Sequence, residues 1–168
     1  MSKSVGIISR IKHILPNYIL HTLYYTMIFP YLRYCNIVWA STYPSRLEKI
    51  VMLQKNIIRI ISACKYRDHT SYYFKELHIL KFSDINFLQT ALFMFNVDRQ
   101  LLPTHLMERF HQNNAVHCYS TRSSNSYHLE SVNTNIKQFS IKYKGPILWN
   151  STPCQYVHSK IFISLNEK

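Results

Sequence analysis

The side chains in this sequence most able to do chemistry are basic. Lys49, Lys55 and Arg59 lie on the polar side of an amphipathic stretch, residues 46–62. Ammonium and guanidinium groups arrayed in this way neutralise phosphates without reading bases. Arg10 and Lys12, on an earlier amphipathic stretch, are candidate neighbours. A second basic group, Arg122, Lys137, Lys142 and Lys144, is interleaved with Tyr119, Tyr127, Phe139 and Tyr143. Alternating aromatic and basic positions on a small sheet would stack bases and hold a sugar–phosphate backbone. Each group also has a plainer reading: a solvated helix face for the first, and a hairpin with an aromatic core side and a wet lysine side for the second.

Charge favours the polyanion reading for the first group. The chain has 20 Lys and Arg against 8 Asp and Glu, a formal charge of +12. Residues 1–75 hold eleven basic and two acidic side chains, a net +9. Residues 76–110 are near neutral, with three against four, and residues 111–168 hold six against two. A field of this sign attracts nucleic acid or an acidic membrane surface.

The acids argue against hydrolytic or two-metal chemistry. Glu48, Asp68, Glu76, Asp84, Asp98, Glu108, Glu130 and Glu167 are scattered, no two closer than eight positions. A phosphoryl-transfer metal pair usually takes at least one local acidic motif. Serines and histidines are present, but no glycine-framed nucleophile turn. With only Gly6 and Gly145 available, a phosphate-cradling glycine loop is excluded, and no cofactor is expected. Cys35, Cys64, Cys118 and Cys154 show no two-residue gap of a zinc knuckle or redox pair, and are expected to be reduced and mostly buried. His111, His117 and Cys118 form the one local ligand-like cluster. A tetrahedral site would need a fourth partner from elsewhere, so no metal is expected.

The elements that must position these groups are mainly helical. Val5, Ile7, Ile8, Ile11, Ile14 and Leu15 share one side of a first helix that Pro16 ends. A second runs from about Asn17 toward Phe29, with Leu20, Leu23, Tyr24 and Met27 as its stripe, and Pro30 kinks or restarts it. Residues 13–32 lack Asp, Glu, Lys and Arg, which raises a membrane span. Their His13, Pro16, Asn17, His21 and Thr22 favour a buried helix instead, and the Met1–Val5 start is no signal peptide. A third helix fills about 46–62, with Ser45 and Glu48 spaced as a capping box. A short helix follows Thr70, and Ser83 is placed to cap another over about 84–100, with Phe87, Leu88, Ala91, Leu92, Met94 and Phe95 on one side. A brief helix reaches Phe110. From His111 the chain turns polar. Phe139, Ile141 and Tyr143 alternate with Ser140, Lys142 and Lys144 as a strand would, and residues 119–129 could pair with it as an antiparallel β-hairpin. Gly145-Pro146 then turns the chain into a short helix at Ile147.

Two sets of residues, taken in order, carry a resemblance. The first is Gly6-Ile7-Ile8-Ser9-Arg10, Leu15-Pro16, Leu23-Tyr24-Tyr25, Pro30-Tyr31-Leu32, Tyr34 and Val38-Trp39, followed by Leu53-Gln54-Lys55 and Arg59-Ile60-Ile61. The second is Tyr119-Ser120-Thr121-Arg122, Phe139-Ser140-Ile141-Lys142-Tyr143, Gly145-Pro146-Ile147-Leu148-Trp149-Asn150-Ser151 and Pro153. This series resembles the C-terminal part of the reverse transcriptase of non-LTR retrotransposons, the jockey-like long interspersed elements. Each motif alone is weak, and the ordered set covers nearly the whole chain.

The resemblance implies a helical, thumb-like segment at 1–62 that holds a primer–template duplex, with 63–168 as the region downstream of it. The chain's own pattern divides that region into a helical connector at 63–110 and, at 111–168, a polar loop, β-hairpin and short C-terminal helix. The aspartate motif of the family's catalytic palm has no counterpart here, nor has its endonuclease. The expectation is therefore a non-catalytic fragment of an RNA-directed DNA polymerase, intracellular, in nucleus or cytoplasm. It would bind RNA and DNA as a hybrid through phosphates at Arg10, Lys12, Lys49, Lys55, Arg59, Arg122, Lys142 and Lys144. The alternative is a non-catalytic helical interaction module docking on a missing partner, the upstream palm. Asn133-Thr134 lacks a basic residue expected before the threonine, Thr152 replaces a leucine before Pro153, and the end at Lys168 cuts a final helix short. These departures point to a decayed or truncated copy.

Overall fold

The computed structural model describes residues 1–65, 68–116, 119 and 121–152. Eleven helices are present among them: α1 Ser2–Ile11, α2 Asn17–Met27, α3 Phe29–Arg33, α4 Asn36–Trp39, α5 Pro44–Ile61, α6 Ser71–Glu76, α7 Phe82–Asp98, α8 Thr104–Met107, α9 Asn113–Val116, α10 Asn135–Phe139 and α11 Ile141–Ser151. The chain divides into two compact units, Met1–Asn86 and Phe87–Lys168. No helix among the described residues is long and apolar enough to cross a membrane.

The first unit grows from the 3.6-residue period of α1, α2 and α5. Val5 and Ile8 of α1, Leu20 and Tyr24 of α2, and Ile57, Ile58 and Ile61 of α5 are buried together. Ile28, Leu32, Phe74, Ile79, Phe82 and Ile85 complete the core. Trp39 stacks on Phe82 with centroids 5.5 Å apart. Ile7 and Ile14, expected on the apolar side of the first helix, are exposed.

Two amides sit inside this apolar set. Gln54 Nε2 donates to Tyr24 Oη at 3.0 Å and to the Leu80 carbonyl at 2.8 Å, while its Oε1 accepts from the Phe82 amide at 2.8 Å. One side chain thus ties α5 to α2 and to the start of α7. Asn36 Nδ2 donates to the Leu32 carbonyl at 2.8 Å, and its Oδ1 accepts from Asn86 Nδ2 at 2.7 Å. Both amides are buried with the nitrogen and the oxygen each hydrogen-bonded, which offsets the desolvation cost that a bare amide would carry.

Helix ends depart from the sequence expectation. Helix α5 starts at Pro44, with Tyr43 as N-cap and no side-chain cap bond. Proline at the first position has its φ set for the helix and no amide to satisfy. It starts the helix before Ser45, which then lies inside the first turn and cannot act as the N-cap of a Ser45–Glu48 capping box. Ser83 lies inside α7 and donates to Asp84 Oδ1 rather than capping. Four non-glycine residues, Cys35, Ala63, His78 and Gln100, have positive φ. All four stand two positions past a helix C-terminus. After α6 and α7, the Ile79 and Leu101 amides reach back to the Phe74 and Asn96 carbonyls. This is the pairing that normally selects glycine at the left-handed position.

The second unit has a smaller core: Met94, Val97 and Tyr127, with Phe93, Leu102, Phe110 and Trp149 against them. Helix α11 approaches α7 at Gly145, where an added Cβ would lie 2.6 Å from Met94 Sδ. Gly145 and Pro146 are both buried inside this helix, so Gly145-Pro146 is a contact point and not a turn. Phe87, expected on the apolar side of α7, is exposed.

The antiparallel β-hairpin is not formed. No strand exists among the described residues, and the single bridge pairs Gln112 with Tyr127. Residues 139–143 instead end α10 and begin α11, with extended Ser140 between them. A strand there would need a partner edge. Residues 121–128 spend their backbone groups on turns and on 111–114: the Asn113 and Asn114 amides donate to the Ser126 and Ser124 carbonyls, and the His128 amide donates to the His111 carbonyl. Five alternating residues are too few to outweigh helix packing at Gly145.

Candidate nucleic-acid interface

The candidate basic residues of the first unit lie on α1 and α5 or, for Lys12, just past the end of α1, and these two helices pack directly against each other. Their apolar stripes fix the pairing, and the flank of the contact opens into a groove of about 480 Å³. From α1 come Ser2, Val5, Gly6, Ser9 and, just beyond its end, Lys12. From α5 come Asn56, Arg59 and Ile60, with Cys64 just beyond. Positions 2, 5, 6, 9 and 12 recur at the helical three-to-four spacing, as do 56, 60 and 64. Small residues hold the α1 wall back, and an added Cβ at Gly6 would meet nothing within 4 Å.

The groove is electropositive. Lys12 and Arg59 stand on opposite walls, and no carboxylate is among the described residues that line it. Arg59 Nη1 donates to Asn56 Oδ1 at 3.3 Å, which holds the guanidinium along the helix surface. Arg59 also sits in the last turn of α5, and Arg10 in the last turn of α1. Cations there oppose the negative ends of the helix dipoles. Cys64 is half-buried, and burial first, then the charge of Asp68, pushes its thiol pKa up. It is a neutral wall residue and not an activated nucleophile.

The structure brings Lys12 and Arg59 to one groove but does not gather the whole first group there. At about 100° per residue, Lys55 lies about 40° from Arg59 on α5, while Lys49 lies about 80° to the other side of it. Lys55 is half-buried and Lys49 exposed, and neither lines the groove; nor does exposed Arg10.

In the second unit the predicted aromatic–basic sheet does not exist. Lys142 and Lys144 lie in the first turn of α11. Lys142 Nζ is ion-paired with Glu130 Oε1. Lys144 Nζ sits 4.8 Å above the centre of the Phe139 ring, and burial pushes its pKa down. Arg122 is exposed in the turn around residues 121–126. Of the aromatic partners, Tyr119 is exposed and Tyr127 buried, so they form no common stacking face.

The ligand-like cluster is described only in part: His111 is exposed, while His117 and Cys118 lie outside the described residues. Among the described residues no group of three or more His, Cys, Asp or Glu is placed to hold a metal ion. Cys35 is exposed and Cys64 half-buried, against the expectation of burial; Cys118 and Cys154 lie outside the described residues. No family model, curated protein or solved structure matches the chain.

Sequence reasoning missed two residues that shape these surfaces. Gln54 lies three or four residues before Ile57 and Ile58 on the buried stripe, and that position is the signal of a buried amide. Glu130 gave no signal of its own, because its partner Lys142 lies twelve residues on.

Proposed function

We propose that this chain binds nucleic acid through phosphate contacts, as a non-catalytic fragment of a retroelement reverse transcriptase. The observation that carries the reading is the α1–α5 groove, with Lys12 and Arg59 on facing walls and no acidic side chain among the described residues of its lining. Arg10, Lys49 and Lys55 extend the positive surface of the same two helices. The ordered motifs resembling a jockey-type reverse transcriptase supply the ligand, a primer–template hybrid. The scattered acids supply the absence of a polymerase step.

The test is binding of an RNA–DNA hybrid across a salt series. Affinity should fall steeply as salt rises, and each cation removed (Lys12→Met, Lys55→Met, Arg59→Met) should flatten the logarithmic slope by about 0.9 per lost phosphate contact. Bound hybrid should also protect Cys64 from alkylation while leaving exposed Cys35 reactive. Absence of binding at low salt would reject the reading.

A second reading rests on a different observation. Tyr31, Tyr34 and Val38, along α3 and α4, are 58%, 78% and 76% exposed. Side chains of this size left open favour an interaction module that docks on an upstream palm domain. Co-expression with such a domain would then cover these residues and raise the yield of dispersed protein.

A further inference from the structure

In the second unit one carboxylate is surrounded by more positive charge than it can balance. Glu130 and Lys142 form an ion pair at the rim of an open recess of about 250 Å³, which Val132, Lys137, Ser140 and Tyr143 complete. On the other side of the same pair lie Arg109, His111 and His128. Among the described residues, three permanent cations and two imidazoles therefore gather about a single acid. The nearest acids in sequence, Glu108 and Glu167, are more than twenty positions away, and Glu108 lines neither space.

We propose that this recess is a phosphate site and that Glu130 is its internal occupant, holding Lys142 until a phosphate group displaces it. A carboxylate and a phosphate oxygen present the same kind of acceptor to an ammonium group. One carboxylate leaves Lys137 and Arg109 uncompensated, whereas a phosphate brings further acceptor oxygens. The pair is also easy to open. Its two side chains are 42% and 54% exposed, and ion pairs that wet are weak. Lys142, followed by other nearby cations, holds the Glu130 carboxyl below its ordinary range, as expected of an anion in a positive recess. The Ser140 hydroxyl is turned away, donating to the Lys137 carbonyl at 2.6 Å, so the lysines are the recess's principal donors. The inference lies wholly within the second unit and holds or fails independently of the α1–α5 groove.

The ligand chemistry is a phosphate ester or anhydride, and two probes distinguish its source: a labelled oligothymidylate, read by anisotropy, and inorganic pyrophosphate, read by calorimetry. The variants, made in the full chain, are Glu130→Gln, Lys142→Met, both together, and Glu108→Gln as a control for the generic gain of one positive charge. Glu130 and Lys142 are exposed, so folding is not at stake, and circular dichroism checks it. Glu130→Gln should tighten binding of at least one probe by about two- to fivefold, beyond any gain from Glu108→Gln, and Lys142→Met should erase that gain. A gain with oligothymidylate alone identifies the backbone of nucleic acid as the source; a gain with pyrophosphate as well shows that a free phosphate suffices. The proposal is overturned if Glu130→Gln binds both probes no better than Glu108→Gln, or if its gain survives loss of Lys142.

Discussion

In the first unit Gln54 serves three elements at once; in the second, Asn150 serves one residue twice. Gln54 is buried among isoleucines and bonds to Tyr24, Leu80 and Phe82. Asn150 is exposed, accepts from the Tyr127 amide at 3.0 Å and donates to the Tyr127 carbonyl at 2.9 Å. The first arrangement depends on a large core that excludes water from the amide. The second works at the edge of a small core, where two parallel bonds hold a loop on a helix. Charge follows the same division. Residues 1–86 carry twelve basic and four acidic side chains, and residues 87–168 carry eight and four. Among the described residues, the first unit lines its groove without a carboxylate; the second places one on Lys142.

The sharpest way to break the comparison is Gln54→Leu. It strands the Tyr24 hydroxyl, the Leu80 carbonyl and the Phe82 amide in an apolar core, and should cost about 3 kcal/mol or more. Hydrogen exchange, which reads peptides of the two units separately, should show the loss in residues 1–86.

Alkaline pH comes next. Burial pushes the Tyr24 pKa up to about 12 from 10.0. Ionisation is thus easier in the unfolded chain, and Tyr24's contribution is complete below pH 10 and lost as pH rises through about 12. The loss is on the order of 2 kcal/mol. Tyr127 is also pushed up, by burial and then by Asp98, to which its hydroxyl donates at 3.3 Å, so both units should loosen at high pH. Tyrosinate absorbance recorded with circular dichroism should show ionisation of these two side chains coinciding with unfolding, and Tyr24→Phe should remove the largest part of the first unit's share, Tyr25 and Tyr73 being pushed up as well.

The smallest effects come from the two glycines, which should move in opposite directions. Gly145→Ala forces a methyl group onto buried Met94 and should destabilise by about 1 kcal/mol, after a partial offset from helix propensity. Gly6→Ala meets nothing, and should stabilise by about 0.5–1 kcal/mol. Thermal melts of the two variants check the signs.

Much of the first unit is legible in the sequence, because its physics is periodic. Leu20, Tyr24, Ile57, Ile58 and Ile61 repeat at helical spacing, and Pro16, Pro30 and Pro44 mark where helices end or begin. Exposure of Ile7 and Ile14 is not legible, since the side α1 presents depends on where α5 lies. In the second unit local pattern misleads. Residues 139–143 alternate as a strand would, yet Gly145 meeting Met94 decides for helix, and that contact spans fifty-one residues. The candidate site is legible in part. The charge surplus points to α1 and α5, but only the packed pair selects Lys12 and Arg59 from the longer set of cations. The pairing of Glu130 with Lys142 depends on the path of the chain between them.

A carboxamide can present an N–H and a carbonyl oxygen side by side in one plane, as a peptide backbone does across a ladder. Through it, Asn150 acts toward Tyr127 as a one-residue neighbouring strand and fixes the loop's register where no ladder exists. The polar segment is therefore moored to α11 by side-chain chemistry, and an aspartate at position 150 would keep the shape and the bond from the Tyr127 amide but lose the one to the Tyr127 carbonyl, having no proton to offer it.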